Sequence, residues 1–312
     1  MYGMMRYFMG FTDASFVPIE VYGGKLFRSS LCLCIADCYG EQHAAMPAAV
    51  SIELFHNFSL IHDDIVDNDP LRRGRATVWK VWGVPHALNA GDGQLILAYK
   101  ALGECLKKEK GTLVHAFLTE RFLEVVEGQY IDFRLTEYAL SDSRVTMDAY
   151  LTMVRKKTSV LVGAAAYAGG VLSGAEGEAE SLYDYGVALG MALQLHDDYV
   201  SLWGDSLITG KKPHGDIYEK KKSFPIIFSR DTLSGSLKER LYELYDAERE
   251  LAEEEVRDVV SLCEGAGAQQ ATKQRVKEYL AKAEGACSTL PPDLREKLGQ
   301  LASVLLVEYT SH

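Results

Sequence analysis

Residues 160–172, VLVGAAAYAGGVL, have no polar face at any helical pitch, and residues 185–195, YGVALGMALQL, are similar. A helix that is apolar all round must be covered on every side. Its alanines and glycines let neighbouring backbones come close. Two such helices in one chain need a shell of further helices, which predicts an all-α, large helical bundle. The remaining sequence agrees. Apolar residues recur at helical spacing, β-branched alternation is absent, and no Asn-Gly or Asp-Gly pair signals a hairpin between apolar runs. The periodicity predicts helices over about residues 26–38, 44–67, 85–107, 112–134, 146–169, 178–202, 224–230, 237–264, 269–287 and 292–309. The acid-rich helix near residues 239–258 reads as peripheral. No linker or low-complexity tract interrupts residues 1–312, so the chain reads as a single domain. The longest irregular stretch, GDSLITGKKPHGDIYEKKK at 204–222, has the length of a functional loop.

Composition removes several classes of partner. The net charge of −11 argues against nucleic acid and anionic membrane as bulk partners. Any anionic ligand must then be met by local cations or metals. The apolar N-terminus, MYGMMRYFMGF, is too short and interrupted for a membrane span, and the sequence predicts no integral membrane segment. Cys32, Cys34 and Cys38 lack zinc-site spacing and read as buried thiols. Nothing suggests a disulfide framework, which predicts a reducing, cytoplasmic location.

The chemistry concentrates in ELFHNFSLIHDDIVDNDPLRRGR, residues 53–75. Asp63 and Asp67 are one helical turn apart, with Asp64 flanking them. Carboxylates this close repel unless cations neutralise them. Taken alone, the stretch is equally a solvated acidic helix end or a site for a hard divalent ion, and Mg²⁺ of this kind usually arrives with substrate phosphates. A second pair, Asp197 and Asp198, sits in LQLHDDYVSLWGD on another buried helix. Two acid pairs on inner helices favour the metal reading, because unneutralised buried carboxylates are too costly to keep charged. The basic residues match. Lys25 and Arg28 follow Gly23-Gly24, and Arg72 and Arg73 follow the first acids. Lys157 and Thr158 break an apolar helix, and Lys211 and Lys221 lie in the long loop. Acids, metals, Arg and Lys are the inventory for a diphosphate.

These residues resemble the trans-isoprenyl diphosphate synthase (polyprenyl synthetase) family over nearly the whole chain. The resemblance rests on DDIVD followed by RRG, Gly23-Gly24-Lys25 with Arg28, His56, Gly91-Asp92, Gly128-Gln129, Lys157-Thr158 and Gln194-x-x-Asp197-Asp198. Gly210-Lys211, Asp216-Ile217, Lys221 and Pro225 follow in the family's order. Each is weak alone; the ordered set is specific. The resemblance implies an all-α isoprenoid synthase fold around a central cavity and a homodimer. It implies three Mg²⁺ ions carrying an allylic diphosphate on Asp63, Asp64, Asp67 and Asp197, with Asp198 beside them. Arg72, Lys157 and Lys211 would hold the diphosphate oxygens. Isopentenyl diphosphate would bind Lys25, Arg28, His56 and Arg73 without metal, and Lys221 would be a further substrate-binding residue. Thr158 and Gln194 would face the allylic cation with their oxygen dipoles.

Departures from the family are few. Ser201 stands where a third Asp is usual, with Asp205 nearby, and GGKLFRS replaces GGKRxRP. The segment before Gly23 is shorter than the family's.

Product length is expected to be set just upstream of Asp63 by Phe55, Phe58 and Ser59. An aromatic five residues before the motif with a small residue four before it resembles archaeal-type geranylgeranyl synthases. A plain helical wheel puts Phe58 about 140° from Asp63, so its part as a floor rests on the resemblance. The expected product is geranylgeranyl diphosphate (C20), with farnesyl (C15) or geranylfarnesyl (C25) diphosphate as alternatives. A class I terpene cyclase would not need Lys25, Arg28, His56 and Arg73 together. A non-catalytic synthase subunit would be expected to have lost Asp63, Asp64 and Asp67.

Overall fold

The structure is a computed structural model describing residues 1–20, 24, 26–204 and 214–306. It divides into two compact units, Met1–Glu120 with Ala164–Glu180, and Arg121–Gly163 with Ser181–His312.

The first unit begins with α1 (Tyr2–Phe8), α2 (Phe27–Cys38) and α3 (Gln42–Val66). A two-residue hairpin, β1 (Leu71–Arg72) and β2 (Arg75–Ala76), follows, then α4 (Val78–Trp82) and α5 (Val84–Glu104). The 25-residue helix α3 organises this unit, packing against α2 and α5. By length and composition α3 passes as a membrane span, with mean hydropathy 1.2 over its most apolar window, yet 56% of that window is buried inside the protein. Core burial therefore accounts for its apolarity. Gly91 on α5 makes the α3–α5 approach possible, since a Cβ there would lie 2.3 Å from Nε2 of His62.

Two features of this unit were not expected. Helix α1 buries Met5, Tyr7 and Phe8 in a cluster with Ile61, Val78, Ala87 and Ala90. The hairpin lacks the Asn-Gly or Asp-Gly signal because Arg73 and Gly74 form its turn, at φ +53° and +73°. Positive φ at both turn residues suits the twist of a tight hairpin. It is unfavourable for arginine, so tertiary contacts must hold it. Arg75 supplies some of them, donating from Nη1 to Tyr7 O at 3.0 Å and from Nη2 to Thr12 O at 2.6 Å.

In the second unit α7 (Met147–Val154) runs through a π-helical turn, Arg155–Ser159, into α8 (Val160–Leu172). Helices α6 (Gly111–Glu137), α8 and α9 (Ala179–Trp203) run through both units. Small residues bring α8 and α9 together as the sequence predicts. A Cβ on Gly186 would lie 2.6 Å from the Gly163 Cα, and one on Gly190 2.6 Å from the Ser159 Cα. Among the described residues six helices complete the unit: α10 (Gly215–Tyr218), α11 (Phe224–Thr232), α12 (Gly235–Tyr245), α13 (Glu253–Gly265), α14 (Ala268–Ala286) and α15 (Pro292–Leu305). The continuous helix expected over 237–264 is broken at 246–252. Asp246 closes the first piece, its N–H donating to Tyr242 O at 2.8 Å while its carboxylate accepts from Leu140 N and, at 2.8 Å, from Ser141 Oγ.

Candidate active site

The first unit carries two adjoining groups of candidates. Asp63, Asp64 and Asp67 occupy the last turn of α3, where Asp67 is the C-cap and its N–H donates to Asp63 O at 2.8 Å. Asp63 and Asp67 are half-buried, whereas Asp64 is 1% exposed. Asp64, expected as a metal ligand, and Arg72, expected as a diphosphate ligand, are paired with each other. Arg72 Nε donates to Asp64 Oδ1, and Arg72 Nη2 is 3.9 Å from Asp69 Oδ2. Burial pushes the Asp64 carboxyl up to about 6, against the opposing pull of Arg72. Its buried Oδ2 has no hydrogen-bond partner.

Among the described residues no three His, Cys, Asp or Glu groups form a ready-made metal cage. An open, oxygen-only donor set fits Mg²⁺, which keeps most of its shell for water and phosphate. The orphaned Asp64 Oδ2 is a second sign that this helix end is built to receive positive charge.

The second group is cationic. Arg28 Nη1 donates to His56 Nε2 at 3.2 Å. Burial, then Arg28, Arg73 and Arg72 in that order, holds the His56 imidazole well below its usual range. Neutral His56 can therefore accept from Arg28, which fixes its tautomer. Arg73 reaches the group from the hairpin turn, with Nη1 3.5 Å from Asn57 Oδ1. Its guanidinium also lies over Gly24, where a Cβ would fall 2.7 Å from Arg73 Cζ. Lys25, the fourth member predicted for this group, lies outside the described residues, as do Gly23, Asp205, Gly210 and Lys211.

Two positioning residues escaped the sequence reading. Glu53, 8% exposed, accepts from Ser29 Oγ and from Asn57 Nδ2, both at 2.9 Å. Asn57 in turn presents its oxygen to Arg73. The available signal was a carboxylate and an amide at i,i+4 on an apolar helix.

Phe55 is buried beneath Phe58, with ring centroids 5.5 Å apart, and Phe58 meets His62 edge-on at 4.9 Å. Ser59 folds its hydroxyl back onto His56 O at 2.8 Å and adds no bulk.

The second unit holds the remaining candidates. Lys157 and Thr158 lie in the π-helical turn. A π-turn widens the helix and re-aims the side chains within it. Lys157 Nζ donates to Asp132 Oδ2 at 2.6 Å, a partner the sequence did not reveal. Gly128 on α6 permits that turn, since a Cβ there would sit 2.2 Å from the Lys157 backbone nitrogen.

Asp197 is exposed on α9 and Asp198 is 3% exposed. Both oxygens of Asp198, expected as a metal ligand, accept hydrogen bonds. Oδ2 accepts from Tyr150 Oη at 2.5 Å and from Phe224 N at 2.9 Å, and Oδ1 accepts from Gln194 Nε2 at 3.1 Å. Burial and the nearby Asp216 charge push Asp198 up to about 7 despite these donors. Ser201, in the third-acid position, accepts from Asp216 N at 3.4 Å and so ties the start of α10 to α9. Lys221 pairs with Glu219 at 2.8 Å. Its neighbour Lys222 is the more buried, donating to Thr136 O at 3.2 Å, and burial pushes it down to about 8.

The family model described as Polyprenyl synthetase matches residues 16–263. The chain belongs to the polyprenyl synthetase family. It is 38% identical over 228 residues to the (2E,6E)-farnesyl diphosphate synthase of Mycobacterium tuberculosis H37Rv, a match covering 72% of this chain and 62% of that protein. To the geranylgeranyl diphosphate synthase of the same organism it is 32% identical over 297 residues, covering 93% of this chain and 83% of the relative. A crystal structure of polyprenyl synthetase from Streptomyces coelicolor A3(2) superposes with a TM-score of 0.87 at 34% identity, covering 97% of this chain and 91% of that one. The all-α fold expected from the sequence is therefore the fold of this family.

Proposed function

We propose that this polyprenyl synthetase family member is a Mg²⁺-dependent trans-prenyltransferase that condenses isopentenyl diphosphate with allylic diphosphates. The observation carrying this reading is the gathering of Arg28, His56 and Arg73 in the same unit as Asp63 and Asp67. One group suits a diphosphate bound through metal, the other a diphosphate bound by guanidinium groups directly. A cyclase has one substrate and needs no second cationic group.

Asp63, Asp67 and Asp197 are the proposed metal ligands. Bound magnesium would neutralise charge on the allylic diphosphate and make it a leaving group. Asp64 orders Arg72, and Asp198 orders Gln194, both as anchors. Arg28, Arg73 and neutral His56 hold isopentenyl diphosphate. The allylic C–O bond breaks, the isopentenyl double bond supplies the electrons of the new C–C bond, and a proton leaves to the released diphosphate. No side-chain base is needed. Lys157, Lys211 and Lys221 remain proposed diphosphate contacts. The two compact units are proposed to act as one catalytic domain.

The proposed product is C20. The braced aromatic ring of Phe58 and the small Ser59 support a floor one to two helical turns from Asp63, and each turn spans about 5.4 Å. Phe58→Ala is expected to shift the main product to C25 or longer, read by chromatography of the dephosphorylated alcohols. An unchanged distribution would remove Phe58 as the floor.

Gly24→Ala tests the cationic group. The added Cβ displaces the Arg73 guanidinium and strains a backbone at φ +103°. Loss of one charged hydrogen bond is worth about 1.5–3 kcal/mol. The KM for isopentenyl diphosphate is therefore expected to rise about tenfold or more, with the allylic KM within twofold of the original.

A homodimer is also proposed. In the first unit α5 exposes Leu88, Ile96 and Tyr99, and in the second α6 exposes Leu123, Val126 and Tyr130. Rows of apolar side chains of this kind mark association surfaces. Six free cysteines, four of them buried, accord with the proposed cytoplasmic location.

Incubating the purified chain with geranyl diphosphate, with and without isopentenyl diphosphate, tests the function. The synthase makes longer diphosphates only when both are present. A cyclase releases hydrocarbon from the allylic substrate alone, and a non-catalytic subunit makes neither.

A further inference from the structure

A line of hydrogen bonds in the second unit starts at a buried tyrosine. Tyr150 on α7 is 1% exposed. Its hydroxyl donates to Asp198 Oδ2 at 2.5 Å, and Phe224 N donates to the same oxygen at 2.9 Å. Asp198 Oδ1 accepts from Gln194 Nε2 at 3.1 Å, and Gln194 Oε1 accepts from Thr158 Oγ1 at 3.0 Å. All five residues belong to one compact unit.

The polarity of this line is fixed by donor and acceptor inventory. The Tyr150 hydroxyl and Phe224 N–H both point at Oδ2 and favour the ionised form, which only accepts, and Gln194 accordingly turns its NH₂ toward Oδ1. That leaves the Gln194 carbonyl oxygen for Thr158. A threonine hydroxyl has one hydrogen, and it is spent on that carbonyl. Only the lone pairs of Thr158 Oγ1 remain to be offered to a ligand. A hydroxyl free to rotate would present hydrogen or lone pair as the ligand demanded. Here the choice is made in advance, and it favours positive charge over an anion.

We propose that Tyr150 is a positioning residue that, through Asp198 and Gln194, locks Thr158 with its lone pairs toward the developing allylic cation. This inference rests on the prenyltransferase reading above. Tyr150 touches no substrate. Its contribution is preorganisation of a dipole, which acts on the transition state and leaves ground-state binding unchanged. The π-helical turn serves the same end by placing Thr158 within reach of α9.

The test uses the full chain and three variants: Tyr150→Phe, Thr158→Val and the double variant. Tyr150→Phe keeps the ring that packs against Phe224 at a centroid separation of 6.4 Å. It is expected to lower kcat about tenfold, with KM for both substrates within twofold. Thr158→Val lowers kcat at least as far. The double variant matches Thr158→Val within twofold, because Tyr150 acts only through Thr158. A merely structural Tyr150 would lower the melting temperature and multiply its loss onto that of Thr158→Val, which would overturn the proposal.

A second readout does not depend on elongation. In ¹⁵N spectra assigned with Gln194→Ala, the Gln194 side-chain amide is expected to show one strongly downfield proton that moves upfield in Tyr150→Phe. An amide resonance indifferent to Tyr150 would also overturn the relay. A wild-type chain that elongates nothing would sink the prenyltransferase reading, while the amide resonance would still decide whether the relay exists.

Discussion

Asp63→Asn is expected to lower kcat by about 10³-fold or more while leaving the melting temperature within a few degrees. Asp63 is half-buried in the last turn of α3. The variant keeps the shape and loses the negative charge that a divalent ion requires. Asp64→Asn should differ in kind. Asp64 is buried against the quarter-exposed Arg72, so removing its charge weakens the contact that holds that guanidinium. Losing a charged hydrogen bond of this kind costs about 1.5 kcal/mol. Stability should therefore fall with activity for Asp64 and stay nearly constant for Asp63. Steady-state kinetics beside thermal melts separates them. Equal losses of stability at both positions would contradict the division into a metal ligand and an anchor.

The second large effect is expected at Gly128, which has no side chain to take part in chemistry. A Cβ there meets the Lys157 backbone nitrogen at 2.2 Å and the Lys156 carbonyl carbon at 2.7 Å. Backbone atoms have no rotamer with which to yield. Overpacking of this kind costs about 1–3 kcal/mol, so Gly128→Ala should lower the unfolding free energy by that amount. The π-turn carrying Lys157 and Thr158 must shift. A displacement of about 1 Å in a catalytic group can cost 10²-fold, and kcat/KM should fall accordingly. Gly265→Ala is a control, since a Cβ there meets nothing within 4 Å. A Gly128→Ala variant as stable and active as this control would show that α6 does not constrain the turn.

The helical architecture was legible because long amphipathic and all-apolar runs dictate both period and burial. The hairpin was not, because Arg73 takes a left-handed conformation that its own chemistry disfavours and that contacts from α1 and α3 sustain. The π-turn was invisible for a similar reason. RKKTS fits an α-helix locally, and the wider turn depends on Gly128 across from it. The acidic and basic candidates were legible as residue types at spacing. Their division of labour was not. Whether an aspartate faces solvent or an arginine depends on packing, and only the structure distinguishes Asp63 from Asp64, or Asp197 from Asp198. Glu53, Tyr150 and Asp132 act through other side chains, so no spacing in the sequence marks them.

The most direct measurement is the incorporation of radiolabelled isopentenyl diphosphate by the purified chain from a dimethylallyl starter, with Mg²⁺ and again with excess chelator. The account predicts about three labelled units per starter, the number that converts C5 to C20 at about one five-carbon unit per helical turn of cavity, and no incorporation under chelation. Starter consumed without uptake of label, or uptake indifferent to chelator, would contradict it.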